Sequence, residues 1–256
     1  MRAAFTMLSA AALIGIALRS TEAGAITVAQ SAIGFRDFSL TTTAGEVSLL
    51  GPWELRAYAE ASNSLGEFDS EFASALSPAR LEVDAAVTWA EAVTIVEADG
   101  PAPSFGIRGS ANTGVVIPND PYCLSAQALA LSRGTWLNSF LLSGAPGVSD
   151  ITLSAVILGI LRVEFDECTK LAETEVIFSA EIDGVPVLHR RYALSNSTDP
   201  PFEDLLNASF QVQMNQVYGL VIEIDSESHA VTRAPIPCVV WILVPGLIFV
   251  LRPRGS

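Results

Sequence analysis

The sequence predicts an all-β protein: an antiparallel, jelly-roll-like β-sandwich. Three observations carry this. Apolar and polar residues alternate with period two along most of the chain after residue 25. Gly, Pro, Asn and Asp punctuate that alternation at short intervals. The alternating body is about 200 residues long, a size that sandwiches reach as one domain.

Taken in order, strands are expected in "IGFRDFSL", "WELRAYAEAS", "ARLEVDAAVTWAEAVTIVEAD", "YCLSAQALAL", "ITLSAVILGILRVEF", "TEVIFSAEI", "ASFQVQM" and "GLVIEID". In the third, Leu81, Val83, Ala85, Val87 and Trp89 take one face, and Glu82, Asp84, Ala86 and Thr88 the other. The stretch "VTWAEAVTIVEA" is alanine-rich enough for a helix, but its Val, Ile, Thr and Trp favour a strand. Asp183-Gly184 predicts a tight hairpin turn with two positive φ angles. Pro186, which cannot donate to a ladder, then marks an edge strand or the start of pairing. Residues 100–122, rich in Gly and Pro, read as a long surface loop with one short strand, or else as a boundary between subdomains.

The termini differ from this body. "MRAAFTMLSAAALIGIALRSTEAGA" has Arg2, an uncharged stretch from Ala3 to Leu18, and an A-x-A site at Ala23, Gly24 and Ala25. That is the grammar of a secretory signal peptide, with cleavage after Ala25 exposing Ile26. An uncleaved anchor and a core helix are the alternatives. At the other end, the run from Ala234 to Leu251 holds no charge. As a helix it would reach roughly 27 Å at 1.5 Å per residue, close to the ~30 Å hydrocarbon core. Arg252 and Arg254 close it as a positive stop, placing Ser256 in the cytoplasm and the body outside. The expected division is a signal peptide at 1–25, a sandwich at 26–228, a linker at 229–233 and a tail at 234–256.

Residues 26–233 carry 10 basic against 27 acidic side chains, a net charge of −17. Such a field repels polyanions, which argues against nucleic acid and anionic lipid surfaces as partners. The three cysteines form no C-x-x-C pair, which speaks against zinc. Cys123 and Cys168 could close one disulfide loop, stabilising by about 3–4 kcal/mol in the chain-entropy model, or stand as two buried thiols; Cys238 lies in the tail.

Catalytic equipment is sparse. No G-x-S-x-G, Walker, H-E-x-x-H, EF-hand or G-x-G-x-x-G motif occurs. The two histidines, His189 in "HRR" and His229, read as surface residues, although a triad partner need only be close in space. Glu67, Asp69 and Glu71 share a face if extended, and Asp166-Glu167 and Asp225-Ser226-Glu227 add further carboxylates. Oxygen ligands suit calcium, but no loop of recognisable spacing organises them, and a glycosidase pair would look the same. The N-x-S/T matches at Asn196 and Asn207 matter only in a glycosylating host. Trp53, Trp89 and Trp136 would serve a sugar-binding face if exposed and a core if not. No catalytic residue, metal or cofactor is expected.

The order of parts in the tail is more specific than any part alone. Ala234, Pro235, Ile236 and Pro237, followed by Cys238, Val239, Val240, Trp241, Ile242 and Leu243 and the Arg252/Arg254 end, resemble a PEP-CTERM sorting signal of Gram-negative bacteria. The variant it is similar to reads V-P-L-P-A-A-x-W-L. That resemblance implies an exosortase, an integral-membrane cysteine protease, as processing partner. It also implies a non-enzymatic exported protein of the cell envelope or extracellular matrix, associated with exopolysaccharide. A plain C-terminal membrane anchor carrying a carbohydrate-binding or glycan-acting module, and a buried core strand, remain as other readings of the tail.

Overall fold

The computed structural model describes residues 26–99, 106–118, 125–165, 168–195 and 201–233. They form thirteen strands and no helix: β1 (Ile26–Thr42), β2 (Glu46–Leu49), β3 (Glu54–Asn63), β4 (Phe68–Leu76), β5 (Ala79–Val87), β6 (Ala90–Ala98), β7 (Ile107–Pro118), β8 (Gln127–Ser143), β9 (Val148–Glu164), β10 (Thr169–Ile182), β11 (Val185–Leu194), β12 (Phe202–Gln213) and β13 (Gln216–Thr232). Two antiparallel sheets result. One has the order β12-β9-β1-β7-β6-β5 and the other β11-β10-β13-β8-β3-β4, with β2 added beside β8. The sheets pack in sandwich fashion, β1 over β13 and β10, β7 over β8 and β13, β6 over β3 and β8, and β5 over β3 and β4.

Alternation explains most elements directly. Along β9 from Ile151 onward the pattern alternates buried and half-buried, with Ile151, Leu153, Ala155, Ile157, Leu161 and Val163 facing the second sheet. The hairpin at Asp183-Gly184 forms as expected, with φ of 50° and 75°, and Pro186 lies on β11, an edge strand. Three expectations are corrected. The alternation from Leu81 to Asp99 is not one strand: it folds back at Thr88–Trp89 into β5 and β6, and Trp89 takes a left-handed φ of 78° with its indole against the core. The Gly/Pro-rich stretch holds a twelve-residue strand, β7, paired on both sides by β1 and β6. Residues 229–232, read as a linker, continue β13, where His229 pairs with Glu173 and Thr232 with Thr169.

The core is built around Trp136, fully buried, with Phe35 edge-on at 4.7 Å and its indole N–H donating to the Glu97 carbonyl at 3.1 Å. Gly109 lets this ring approach the backbone. A Cβ there would lie 2.4 Å from the indole and 2.5 Å from the Ile95 carbonyl oxygen. Beside this apolar centre lies a buried cluster of hydroxyls joining both sheets. Ser31 meets Thr113 at 2.9 Å and Ser226 at 2.8 Å; Thr113 meets Ser226 at 2.9 Å and Ser228 at 2.8 Å; Thr174 meets Ser228 at 2.9 Å. Thr174 also donates to the Glu227 carbonyl at 3.0 Å. Buried hydroxyls are tolerable only when satisfied, and these satisfy one another.

Both ends of the described body lie at one end of the sandwich. Thr27 near the start of β1 hydrogen-bonds Thr169 across their hydroxyls at 2.7 Å, and Thr169 pairs with Thr232 at the end of β13. There the Thr232 and Arg233 amides donate to the carbonyls of Ala126 and Cys168 at 2.8 and 2.9 Å. Cys168 is buried and disulfide-bonded. Cys123 and Cys238 lie outside the described residues, as do Ala23, Ala25, Asp166, Glu167, Asn196 and the whole tail with Pro235, Ile236, Pro237, Trp241, Arg252 and Arg254.

Candidate functional site

The chemistry-bearing side chains collect in two places, the outward face of the seven-stranded sheet and the corner where β4 meets β5. The outward face follows from register. On β13 the even residues face inward, so Glu223, Asp225, Glu227 and His229 all face out. Cross-strand pairing then gives the row Arg191, Ile177, Asp225, Arg133, Tyr58, Phe72.

Along this face the charges are largely paired. Arg133 donates to Asp225 at 2.5 Å, and that bond, ahead of the opposing effect of burial, raises the guanidinium pKa. Arg191 forks onto both oxygens of Glu175 at 2.6 and 2.5 Å. This matters because Glu175 stands directly opposite Glu227, a like-charge pair that would otherwise destabilise the ladder. The Tyr58 hydroxyl donates to Glu60, which holds the phenol pKa above its ordinary value, burial adding to it. Glu223 is half-buried; burial, then the neighbouring Asp225 charge, push its carboxyl up, and Arg133 opposes them.

At the Arg191 end of this face lies an open groove of about 240 Å³ bordered by Glu173, Glu175, Glu227, His229, Arg191 and Ser195. His229 is fixed between two partners, Glu173 at 3.3 Å from Nδ1 and the Gln127 side-chain nitrogen at 3.1 Å from Nε2. An amide nitrogen only donates, so the imidazole Nε2 accepts, and Nδ1 carries the proton that goes to Glu173. Both ring nitrogens are thereby engaged among the described residues, one by Glu173 and the other by Gln127. His189 sits exposed on edge strand β11. No group of three or more His, Cys, Asp or Glu among the described residues is arranged to hold a metal ion.

The triplet singled out from sequence has a different employment. Glu67, Asp69 and Glu71 face inward from β4 and accept the backbone N–H groups of Thr88, Ala86 and Asp84 at 2.8, 3.0 and 2.9 Å. β5 ends its sheet, so these amides have no neighbouring strand. Three carboxylates therefore stand in for one, and they close this side of the sandwich. Glu67 also accepts from the Asn63 side-chain amide at 2.5 Å and the Thr88 hydroxyl at 3.2 Å. The Asn63 bond and then those from Thr88 hold its carboxyl below the usual range. On the opposite side of the sandwich, Tyr192 of β11 stacks on Phe202 of β12 at 4.3 Å and donates to Asp204. Burial, then that bond, push the Tyr192 phenol up to about 12.

Of the tryptophans, Trp136 and Trp53 are 0% and 2% exposed, and Trp89 is half-buried in its turn. They form no sugar-stacking face. Asn207 lies on the outer side of β12, accepting the Ser154 hydroxyl at 2.7 Å. Three features escaped sequence reasoning: the hydroxyl cluster, the β4–β5 carboxylate ladder, and the exposed row Phe68, Phe72 and Leu76 on β4. The last was legible in "FDSEFASAL", whose alternate residues are Phe, Ser, Phe, Ser and Leu.

Compared with protein-family models, with characterised proteins and with solved structures, the chain matches none. Among the described residues no helix is long and apolar enough to cross a membrane.

Proposed function

We propose that this is an exported, non-enzymatic protein of the cell envelope or extracellular matrix, held by residues 234–256 and displaying its acidic sandwich outward. Residues 1–25 act as the signal peptide. The tail is read by an exosortase-type protease through Pro235, Ile236, Pro237 and Trp241, with Arg252 and Arg254 as the cytoplasmic stop; exopolysaccharide is the matrix it joins. The observation that carries this reading is the order of parts in the sequence: after the last strand and Arg233 come eighteen uncharged residues that open on a proline pair, and then Arg252 and Arg254. Two features agree with it. Among the described residues His229, Asp225 and Glu175 of the outward face are engaged in pairs with Glu173, Arg133 and Arg191. The body's charge of −17 suits a solvated, displayed surface.

Deleting residues 234–256 and fractionating the cells tests the anchor, with the protein expected to move to the soluble exported fraction. Unchanged envelope association overturns it. Replacing Pro235 and Pro237 with alanine separates sorting from anchoring in a host that carries its own exosortase. A passive span tolerates the change, whereas a protease-read signal loses its fixed backbone and accumulates as a longer membrane form. Identical processing of parent and variant would demote the tail to a plain membrane stop.

A further inference from the structure

We propose that the free edge of β4 pairs with β4 of a second copy of the chain, antiparallel, in a two-fold register centred on Phe72. This stands apart from the reading of the tail. Among the described strands β4, β5, β11 and β12 end the two sheet orders, and the four-residue β2 pairs with β8 alone. Exposed edges invite pairing with other chains, and proteins guard them with charge, proline or cover. β5 is covered by Glu67, Asp69 and Glu71. β11 carries Pro186, Arg190 and Arg191, and β12 carries Glu203 and Asp204. β4 has spent its two acids inward on β5, so its outward row is Phe68, Ser70, Phe72, Ser74 and Leu76, with no charge at all. Phe68, Phe72 and Leu76 are 63%, 61% and 62% exposed.

The hydrogen-bonding phase of the edge agrees. Asn63 donates to the Glu67 carbonyl at 3.1 Å, and Ser77 donates to the Trp53 carbonyl at 2.8 Å, at the two ends of the β3–β4 ladder. Odd residues of β4 thus turn their amides and carbonyls to β3. Even residues, Phe68 to Leu76, turn theirs to the free edge. A two-fold axis at Phe72 places Phe72 against Phe72, Ser70 against Ser74 and Phe68 against Leu76 of the second copy. All of these are even residues, so each pair can exchange both N–H···O bonds.

Charge fixes the same register. With the axis at Phe72, Asp69 faces Ala75 and Glu71 faces Ala73 of the second copy, and no acid meets an acid. Moving the axis one residue back would set Glu71 against Glu71. Moving it one residue forward would set Phe68 against Pro78, which has no N–H to donate. The net charge of −17 on each body opposes association at long range, so pairing strengthens with salt.

Sedimentation velocity of the full mature chain in mild detergent tests this. A dimer is expected that grows with protein concentration and as salt is raised from about 0.05 to about 0.5 M, where screening shortens the reach of the repulsion. Phe72→Lys leaves a solvated lysine in the monomer but sets two ammonium groups at the axis, and should weaken the dimer at least about tenfold. Phe72→Cys should cross-link to itself on mild oxidation beyond the unsubstituted protein's own level, because Cα atoms of a hydrogen-bonded pair stand about 5.5 Å apart. Ser70→Cys should not, because its copy lies four residues along, about 14 Å away. A parent that stays monomeric overturns the proposal. So does a Phe72→Lys variant that keeps the parent circular dichroism spectrum and sediments as the parent does, or a Ser70→Cys variant that cross-links as readily as Phe72→Cys. Should Phe72→Lys fail to fold, the cysteine pair decides alone. A dimer lost on deleting residues 234–256 yet indifferent to Phe72→Lys belongs to the tail and overturns it too.

Discussion

The Glu67 carboxylate accepts the backbone N–H of Thr88 at 2.8 Å, joining the last residue before β4 to the turn that ends β5. With Asp69 on Ala86 and Glu71 on Asp84, it replaces a missing strand by side chains in antiparallel order. Charge-assisted bonds of this kind are stronger than neutral ones, and they leave β5 with no amide on offer at these three positions.

This ladder has a pH signature. The Glu67 carboxyl is held below the usual carboxylate range by its bonds from Asn63 and Thr88. A depressed folded-state pKa contributes stability that is fully present above the unfolded value, about 4.3 for Glu, and is lost as pH falls through the folded value. The triple variant Glu67→Gln, Asp69→Asn, Glu71→Gln keeps an acceptor at each position but cannot titrate. Its denaturation midpoint should depend less on pH below about 4.3 than the parent's does. Chemical denaturation between neutral and acid pH checks this, and equal pH slopes would remove the ladder from the acid response.

The hydroxyl cluster predicts a second outcome. Thr113→Val removes the partner shared by Ser31, Ser226 and Ser228 inside the core, and stranding buried hydroxyls costs about 1–3 kcal/mol. Ser226→Ala should cost a similar amount alone. Because the two side chains touch, the double variant should lose less than the sum of the singles. Urea unfolding of all four proteins gives the cycle, and strict additivity would mean that the network does not act as a unit.

A third prediction concerns Gly109. A methyl group there meets the Trp136 ring and the Ile95 carbonyl at distances that real contacts do not reach. Gly109→Ala should therefore destabilise by about 1–3 kcal/mol as an overpacked core does and displace the indole. Loss of the Trp136–Glu97 hydrogen bond would appear in the near-ultraviolet circular dichroism and tryptophan emission. An unchanged melting temperature and spectrum would show that the ring has room to yield.

How far the sequence revealed all this depended on whether a signal was local. Alternation along β9 and β13 was readable because each residue reports its own face, and Asp183-Gly184 was readable because a two-residue turn carries its own φ requirement. Alternation could not show the fold-back at Thr88–Trp89, since a tight turn can preserve the period on both sides. β7 was hidden by its glycines: Gly109 and Gly114 look like loop residues until the ring of Trp136 is placed beside the first. The acids of β4 were visible as a cluster, but their partners are backbone groups 13 to 21 residues away, which composition does not encode. The tail's proline pair and arginines were legible as a motif, and what they do is a matter for the fractionation experiments.

The buried hydroxyls also bear on how the strands find their places. Alternation forbids any slip of β13 by an odd number of residues, because that would turn its apolar row to water. A slip by two breaks no such rule: Leu220, Ile222 and Ile224 would still face inward. Ser226 and Ser228 mark one phase of that repeat. Displaced by two positions, one serine would take the other's place and the other would leave the cluster, so that either Ile224 or Ala230 would stand among the hydroxyls of Ser31, Thr113 and Thr174. Five small oxygens thus tell this sandwich which of several equally greasy alignments is the native one.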